Sequence, residues 1–168
     1  MIKKVVVIVM GLALGFTAKT NFAQKRGPST SEERKRAVEI ATLLENDPLN
    51  KNAKALSGEL LRWIIEVPDI TFAICTSVLG DAKLEGEYQP NIASQFTFSA
   101  AKFVIEHPKQ ANDEYLENLA GAKGALKAYK NIKKVNPKVR MEPLEQLLMK
   151  QKAGQLEDSV KDAMSKCK

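Results

Sequence analysis

Prolines cut this chain at intervals that leave room for helices and little else. Pro48, Pro68, Pro90 and Pro108 stand 20, 22 and 18 residues apart, and Pro137, Pro143 and Gly154 punctuate the C-terminal third. A proline lacks the backbone donor and clashes with the preceding turn, so a helix stops before it or opens at it. Between these cuts the apolar residues recur at spacings of three and four, the period of one helical face.

Thr30 opens the first segment, with Glu33 as its capping-box partner, and Ala37, Ile40, Ala41 and Leu44 mark its face up to Asn46-Asp47-Pro48. The second runs from about Asn50 to Pro68, with Ala53, Leu56, Leu60, Trp63, Ile64 and Val67 on one stripe. Ile70 to Leu79 is the most apolar stretch beyond the N-terminal region. Its β-branched residues allow a strand, but the Pro68-Asp69 start and the Gly80 stop favour a short buried helix. Gly80 to Pro90 reads as a loop. Asn91 is placed to cap a fourth helix carrying Ile92, Phe96, Ala100 and Phe103. A fifth, from about Asn112 to Lys134, carries Tyr115, Leu119, Ala122, Leu126, Tyr129 and Ile132. Pro143 opens a sixth with Leu144, Leu147 and Leu148, and a last one carries Leu156, Val160, Ala163, Met164 and Cys167. The expectation is an all-α fold of about seven helices. Short connections make neighbours antiparallel hairpins, here in one compact or short solenoid-like domain over residues 30–168.

Two fragments resemble tetratricopeptide repeats. Asn46-Asp47-Pro48-Leu49-Asn50-Lys51-Asn52-Ala53 is similar to the Asp/Asn-Pro turn that ends one such repeat and opens the next. Ala125, Tyr129 and Pro137 fall 4 and 8 residues apart, as in the second helix of a repeat. No Trp-Leu-Gly-Tyr series precedes Ala125, and the side chains do not recur with the proline spacing. The resemblance implies stacked helical hairpins.

The N-terminus predicts export. Met1-Ile2-Lys3-Lys4 is a cationic head, and Val5 to Phe16 is an apolar or glycine run without a charge. Head and run together read as a secretory signal peptide over residues 1–23, followed by a linker over 24–29. At about 12 residues the run is shorter than the roughly 20 needed to span a bilayer. Cleavage is expected after Ala23, with Ala18 as the other candidate, and release is to the periplasm or the medium. The alternative is an uncleaved N-terminal tether. No Cys follows the run, which excludes a bacterial lipoprotein anchor. Lys3, Lys4 and Lys19 leave with the signal and no acid does, so the 26 basic and 20 acidic residues become 23 and 20. A net +3 is no nucleic-acid footprint. A hydrophobic fraction of 44% with only 6% aromatics suits a core filled by Ala and Leu.

Residues able to carry chemistry are few. Cys75 and Cys167 sit on apolar faces and form no Cys-x-x-Cys pair. In an exported chain they are expected to form a structural disulfide, ahead of two buried thiols and of redox or metal chemistry. The lone His107 falls in a last helical turn, where it caps carbonyls rather than acting as a base. Glu85 and Glu87 flank Gly86 in the loop and read as solvated ahead of an acid–base pair. Lys123, Lys127, Lys130 and Lys134 form one stripe, extended by Lys133, Lys138 and Arg140. The stripe is a candidate anion-binding edge for lipid head groups or acidic polymers. Its placement at the end of a helix that starts with Asp113, Glu114 and Glu117 fits a solvated face better. Ala120-Gly121-Ala122 and Gly124-Ala125 put nearly bare backbone in mid-helix, where glycine costs about 1 kcal/mol relative to alanine. That predicts close approach by another helix, ahead of a ligand.

The reading is a non-enzymatic, exported helical module that binds a protein or peptide in a groove between hairpins. No cofactor, metal or nucleic acid is expected. The alternative is a small carrier holding an apolar ligand among Phe72, Phe96, Phe98 and Phe103, or, less favoured, an enzyme of unidentified reaction.

Overall fold

The computed structural model describes residues 26–80 and 86–167, and its regular elements are helical. In chain order they are α1 (Ser31–Asn46), α2 (Ala53–Glu66), α3 (Gln89–Glu106), α4 (Glu114–Val135), α5 (Glu142–Lys152) and α6 (Leu156–Met164). Short 3-10 turns lie at Thr76–Leu79 and Ser165–Cys167. The expected signal peptide and its cleavage sites fall outside the described residues.

The all-α expectation holds, with one correction to its seven helices. Ile70 to Leu79 is not an α-helix: the chain stays irregular through Cys75 and makes a single 3-10 turn. The cause lies on α4. Asn118 accepts a hydrogen bond from the Cys75 N–H at 2.8 Å and donates to the Ala73 carbonyl at 2.9 Å. The Glu117 carboxylate takes the Ala73 N–H at 2.9 Å and the Asn112 N–H at 3.0 Å. Both side chains are buried. Backbone groups that a helix would pair internally are thus taken by two side chains far along the chain, and their burial makes those bonds obligatory.

The cap expected for α1 is present, with Thr30 Oγ1 accepting from the Glu33 N–H and the Glu33 carboxylate accepting from the Thr30 N–H. The cap expected for the fourth segment is not. That helix starts earlier, at Gln89, and Asn91 instead donates to the Pro48 carbonyl at 3.1 Å, tying α3 to the turn after α1. For α4 the cap is Asp113, which accepts from the Leu116 N–H.

Helices α3 and α4 form the central antiparallel pair. Tyr88, at the start of α3, meets Asn136, at the end of α4. The bare stripe of α4 faces α3, as predicted. A methyl group on Gly121 would lie 2.9 Å from the Phe96 carbonyl oxygen, and one on Gly124 would lie 1.8 Å from Ser99 Oγ. Three apolar clusters surround this pair. The largest joins α3 and α4 to the 3-10 turn, α5 and α6 through Val78, Ile92, Leu126 and Val160. A second joins α1 and α2 to Phe98, and a third seats Val67 and Ile70 against Val104. Tyr129 locks α5 onto α4: its hydroxyl donates to Glu145 and accepts from the Met141 N–H. Burial first, and then the bond to Glu145, pushes this phenol up to about 12.

Cys75 and Cys167 stand at disulfide distance, with Cα atoms 5.9 Å apart and 92 residues between them in sequence. Cys75 is buried and Cys167 exposed.

The close packing of α4 on α3 is open to a paired test. Gly124→Ala should destabilise the protein by about 1–3 kcal/mol through overpacking on Ser99. Gly58→Ala, on open helix surface with nothing within 4 Å, should stabilise it, by up to about 1 kcal/mol. Urea titration reads both, and equal signs would refute the close packing. For the disulfide, alkylation of native protein without reductant should label neither cysteine. Reduction should then lower Tm by on the order of 10 °C, because a loop this long restricts the unfolded chain by a few kcal/mol.

Candidate functional site

The α1–α2 hairpin is where the packing stops short of closure. The two helices run antiparallel, joined by the Asp47-Pro48 turn, and Arg36 on α1 meets Glu59 on α2 at 2.9 Å. Beneath that ion pair lies an open trough of about 340 Å³ whose floor is Ala37, Ile40, Leu60 and Trp63. On the other side of Trp63 a broader depression of about 950 Å³ runs along α2, past Ala55 and Gly58 to Lys51. Trp63 borders both. It is the only tryptophan of the chain. Its indole Nε1 is the one side-chain nitrogen or oxygen among the described residues that is buried without a hydrogen-bond partner. An unmade bond at a buried donor costs about 1–3 kcal/mol.

The sequence placed Trp63 on the core stripe of α2, and it is half-buried there. What the stripe missed is the apolar residue next to it on the other face. Ile65 is 74% exposed and Leu61 43%. The signal was present in Leu60-Leu61 and Ile64-Ile65, adjacent apolar pairs that one buried face cannot hold.

Each of the four lysines of the predicted stripe has a partner within the chain, whereas Lys138 of its extension has none among the described residues. Lys127 pairs with Glu45 at 2.8 Å and Lys123 with Glu157 at 3.9 Å. Lys130 donates to Gln151 and Lys134 to Asn131. Lys133 pairs with Glu145, and Arg140 with Glu142. The Glu45 carboxylate, 12% exposed, also lies 3.8 Å from Lys102, so Lys127 offsets a nearly buried charge. These contacts tie the stripe to α1, α5 and α6. His107 caps α3: its Nδ1 lies 3.1 Å from the Phe103 carbonyl and its ring stacks on Phe103 at 4.6 Å. Glu87 is exposed, and Glu85 lies outside the described residues. Phe72, Phe96, Phe98 and Phe103 do not share a chamber: Phe96 packs in the largest cluster, Phe98 in the second, Phe72 and Phe103 in the third. Among the described residues no group of three His, Cys, Asp or Glu could hold a metal ion, and no helix is long and apolar enough to cross a membrane.

One polar network fixes the open end of the hairpin. Asp69, just after α2, accepts from the Ser29 N–H and hydroxyl, both at 2.8 Å, and from Arg34 at 2.7 Å. Nearby, Arg26 reaches both Glu33 and Glu66. The Ser29 N–H above all, with the Ser29 hydroxyl and Arg34, holds the Asp69 carboxyl down from 3.8 to about 2. A depressed folded-state value means stability that is present above the ordinary carboxylate range and lost on acidification. The stability gap between the parent and Asp69→Asn should therefore be constant above about pH 5 and shrink as pH falls through 3.8 toward 2. Denaturant titrations across that range check it, and a gap that is independent of pH would refute it. No protein-family model matches this chain, and no curated protein or solved structure matches it either, so the groove's own chemistry is what a functional reading has to stand on.

Proposed function

We propose that this chain is an exported, non-enzymatic helical module that binds a protein or peptide segment in the α1–α2 groove, along Trp63. The observation that carries the reading is the orphaned indole N–H of Trp63 between two open depressions, one floored by aliphatic side chains. Peptide sites combine apolar contact with a few fixed polar groups, and buried tryptophans surrounded by a polar rim are typical anchors. A helix-lined trough suits an extended or helical segment. The resemblance of the Asp47-Pro48 turn to the junction between tetratricopeptide repeats implies stacked helical hairpins, which is compatible with the same reading. Export rests on the cationic head and apolar run, and the cysteine pair at disulfide distance is compatible with an oxidising compartment.

The test is selection of peptides from an unbiased displayed library on the purified protein. Because Trp63 is the sole tryptophan, its emission reports on the groove alone. Selected peptides that lack tryptophan should shift that emission saturably. Gly58→Phe should abolish binding by filling the depression, without loss of fold, because nothing lies within 4 Å of that position. Selection of no peptide, or of peptides that leave the emission unchanged and bind Gly58→Phe equally well, would overturn the reading.

A further inference from the structure

The charges around the groove are not evenly satisfied. Its acids are held from within: Arg26 reaches Glu33 and Glu66, and Arg36 pairs with Glu59. Its remaining cations are not. Lys51, Lys54 and Arg62 border the same depression, and none makes an ion pair or side-chain hydrogen bond among the described residues. Positions 51, 54, 58 and 62 lie three or four apart and so share one side of α2 and the turn that leads into it. Leu61 and Ile65 are exposed on the face of α2 away from Trp63 and line neither depression. Gly58, in the middle of the row, leaves the backbone uncovered. Over the 14 residues of α2, about 20 Å of helix, the depression thus carries three cations without an ion pair among the described residues, beside the indole of Trp63 and Ala55. With Arg36 counted beside Glu59, five cations against three acids leave the rim net positive. Helix α2 also lacks an acid in its first turn. Lys51 and Lys54 therefore stand where the helix dipole makes a cation least welcome. Neither fold stability nor packing accounts for cations in that place, and rules broken locally without compensation tend to mark function.

We propose that the segment bound at this groove is an acidic amphipathic one. Its apolar residues would lie on Trp63 and Ala55, and its Asp and Glu side chains along Lys51, Lys54 and Arg62. The inference rests on the groove reading and adds to it the chemistry of the partner. Complementary rim charges steer association and select partners more than they add affinity, so the effect is read in salt dependence and in selectivity. A basic or neutral segment of the same apolar pattern meets three like or unanswered charges and is discriminated against.

The library selection decides the matter when its winners are read for charge. Peptides whose binding is lost in Gly58→Phe should be enriched in Asp and Glu interleaved with apolar residues, and their binding should weaken as salt rises. The triple variant Lys51→Glu/Lys54→Glu/Arg62→Glu should bind them roughly tenfold more weakly or worse, as three exposed pairs acting together imply. The triple variant Lys51→Arg/Lys54→Arg/Arg62→Lys should bind them as the parent does. The three positions are exposed, and unchanged melting curves check that the fold survives. Groove-dependent winners that are neutral or basic and insensitive to the charge reversal would overturn this inference and leave the groove reading standing. Absence of any groove-dependent peptide would overturn both. Phosphatidylserine vesicles bound by the parent and not by the charge-reversed variant, with no acidic bias among the peptides, would assign the face to a lipid surface and overturn the acidic segment.

Discussion

The absence of two side chains on α4 sets the architecture. Gly121 and Gly124 let that helix sit against the Phe96 carbonyl and Ser99 of α3, closer than any β-carbon would allow. Ordinary helix pairs stay about 8–10 Å apart because their side chains interdigitate. Here backbone meets its neighbour directly, and α3 becomes the element on which all three apolar clusters are built. Glycine in mid-helix costs about 1 kcal/mol each in conformational freedom, a loss that burial on both sides of the pair offsets.

The buried Glu117 and Asn118 extend that order outward. They stand near the start of α4, and their side chains hold the backbone of Ala73 and Cys75 as a neighbouring strand would. A buried carboxylate is costly unless hydrogen-bonded, and Glu117 takes two backbone N–H groups. The segment they hold presents Cys75 to Cys167 and Val78 to the core. A polar pair on one helix therefore determines where an irregular segment runs and where the C-terminus is fastened.

What the sequence made legible reflects the range of the forces involved. Helix spans were readable because prolines, caps and three-four spacing are local: α1, α2, α5 and α6 begin and end close to their expected positions. The close approach at Gly121 and Gly124 was readable because glycine in a helix has so few other uses. The conformation of Ile70 to Leu79 was not, since nothing within that stretch reveals that residues 117 and 118 will take its hydrogen bonds. The lysine stripe was visible as a stripe, but Glu45 and Glu157, which hold two of its members, come from α1 and α6. The groove at Trp63 was hidden for a related reason. A helical stripe tells which residues face inward and not how completely the neighbours cover them, and α1 leaves one flank of α2 open.

A disulfide between Cys75 and Cys167, which stand at bonding distance, divides the chain unequally. Everything from the 3-10 turn through α6 lies inside a closed ring spanning 92 residues of sequence, and α1 and α2 lie outside it, upstream of the ring's first sulfur. Tension applied between Cys75 and Cys167 in the oxidised molecule cannot lengthen the ring, because the bridge carries the load. The hairpin that carries Trp63 is held to the ring by packing and polar contacts, with no covalent crosslink of its own.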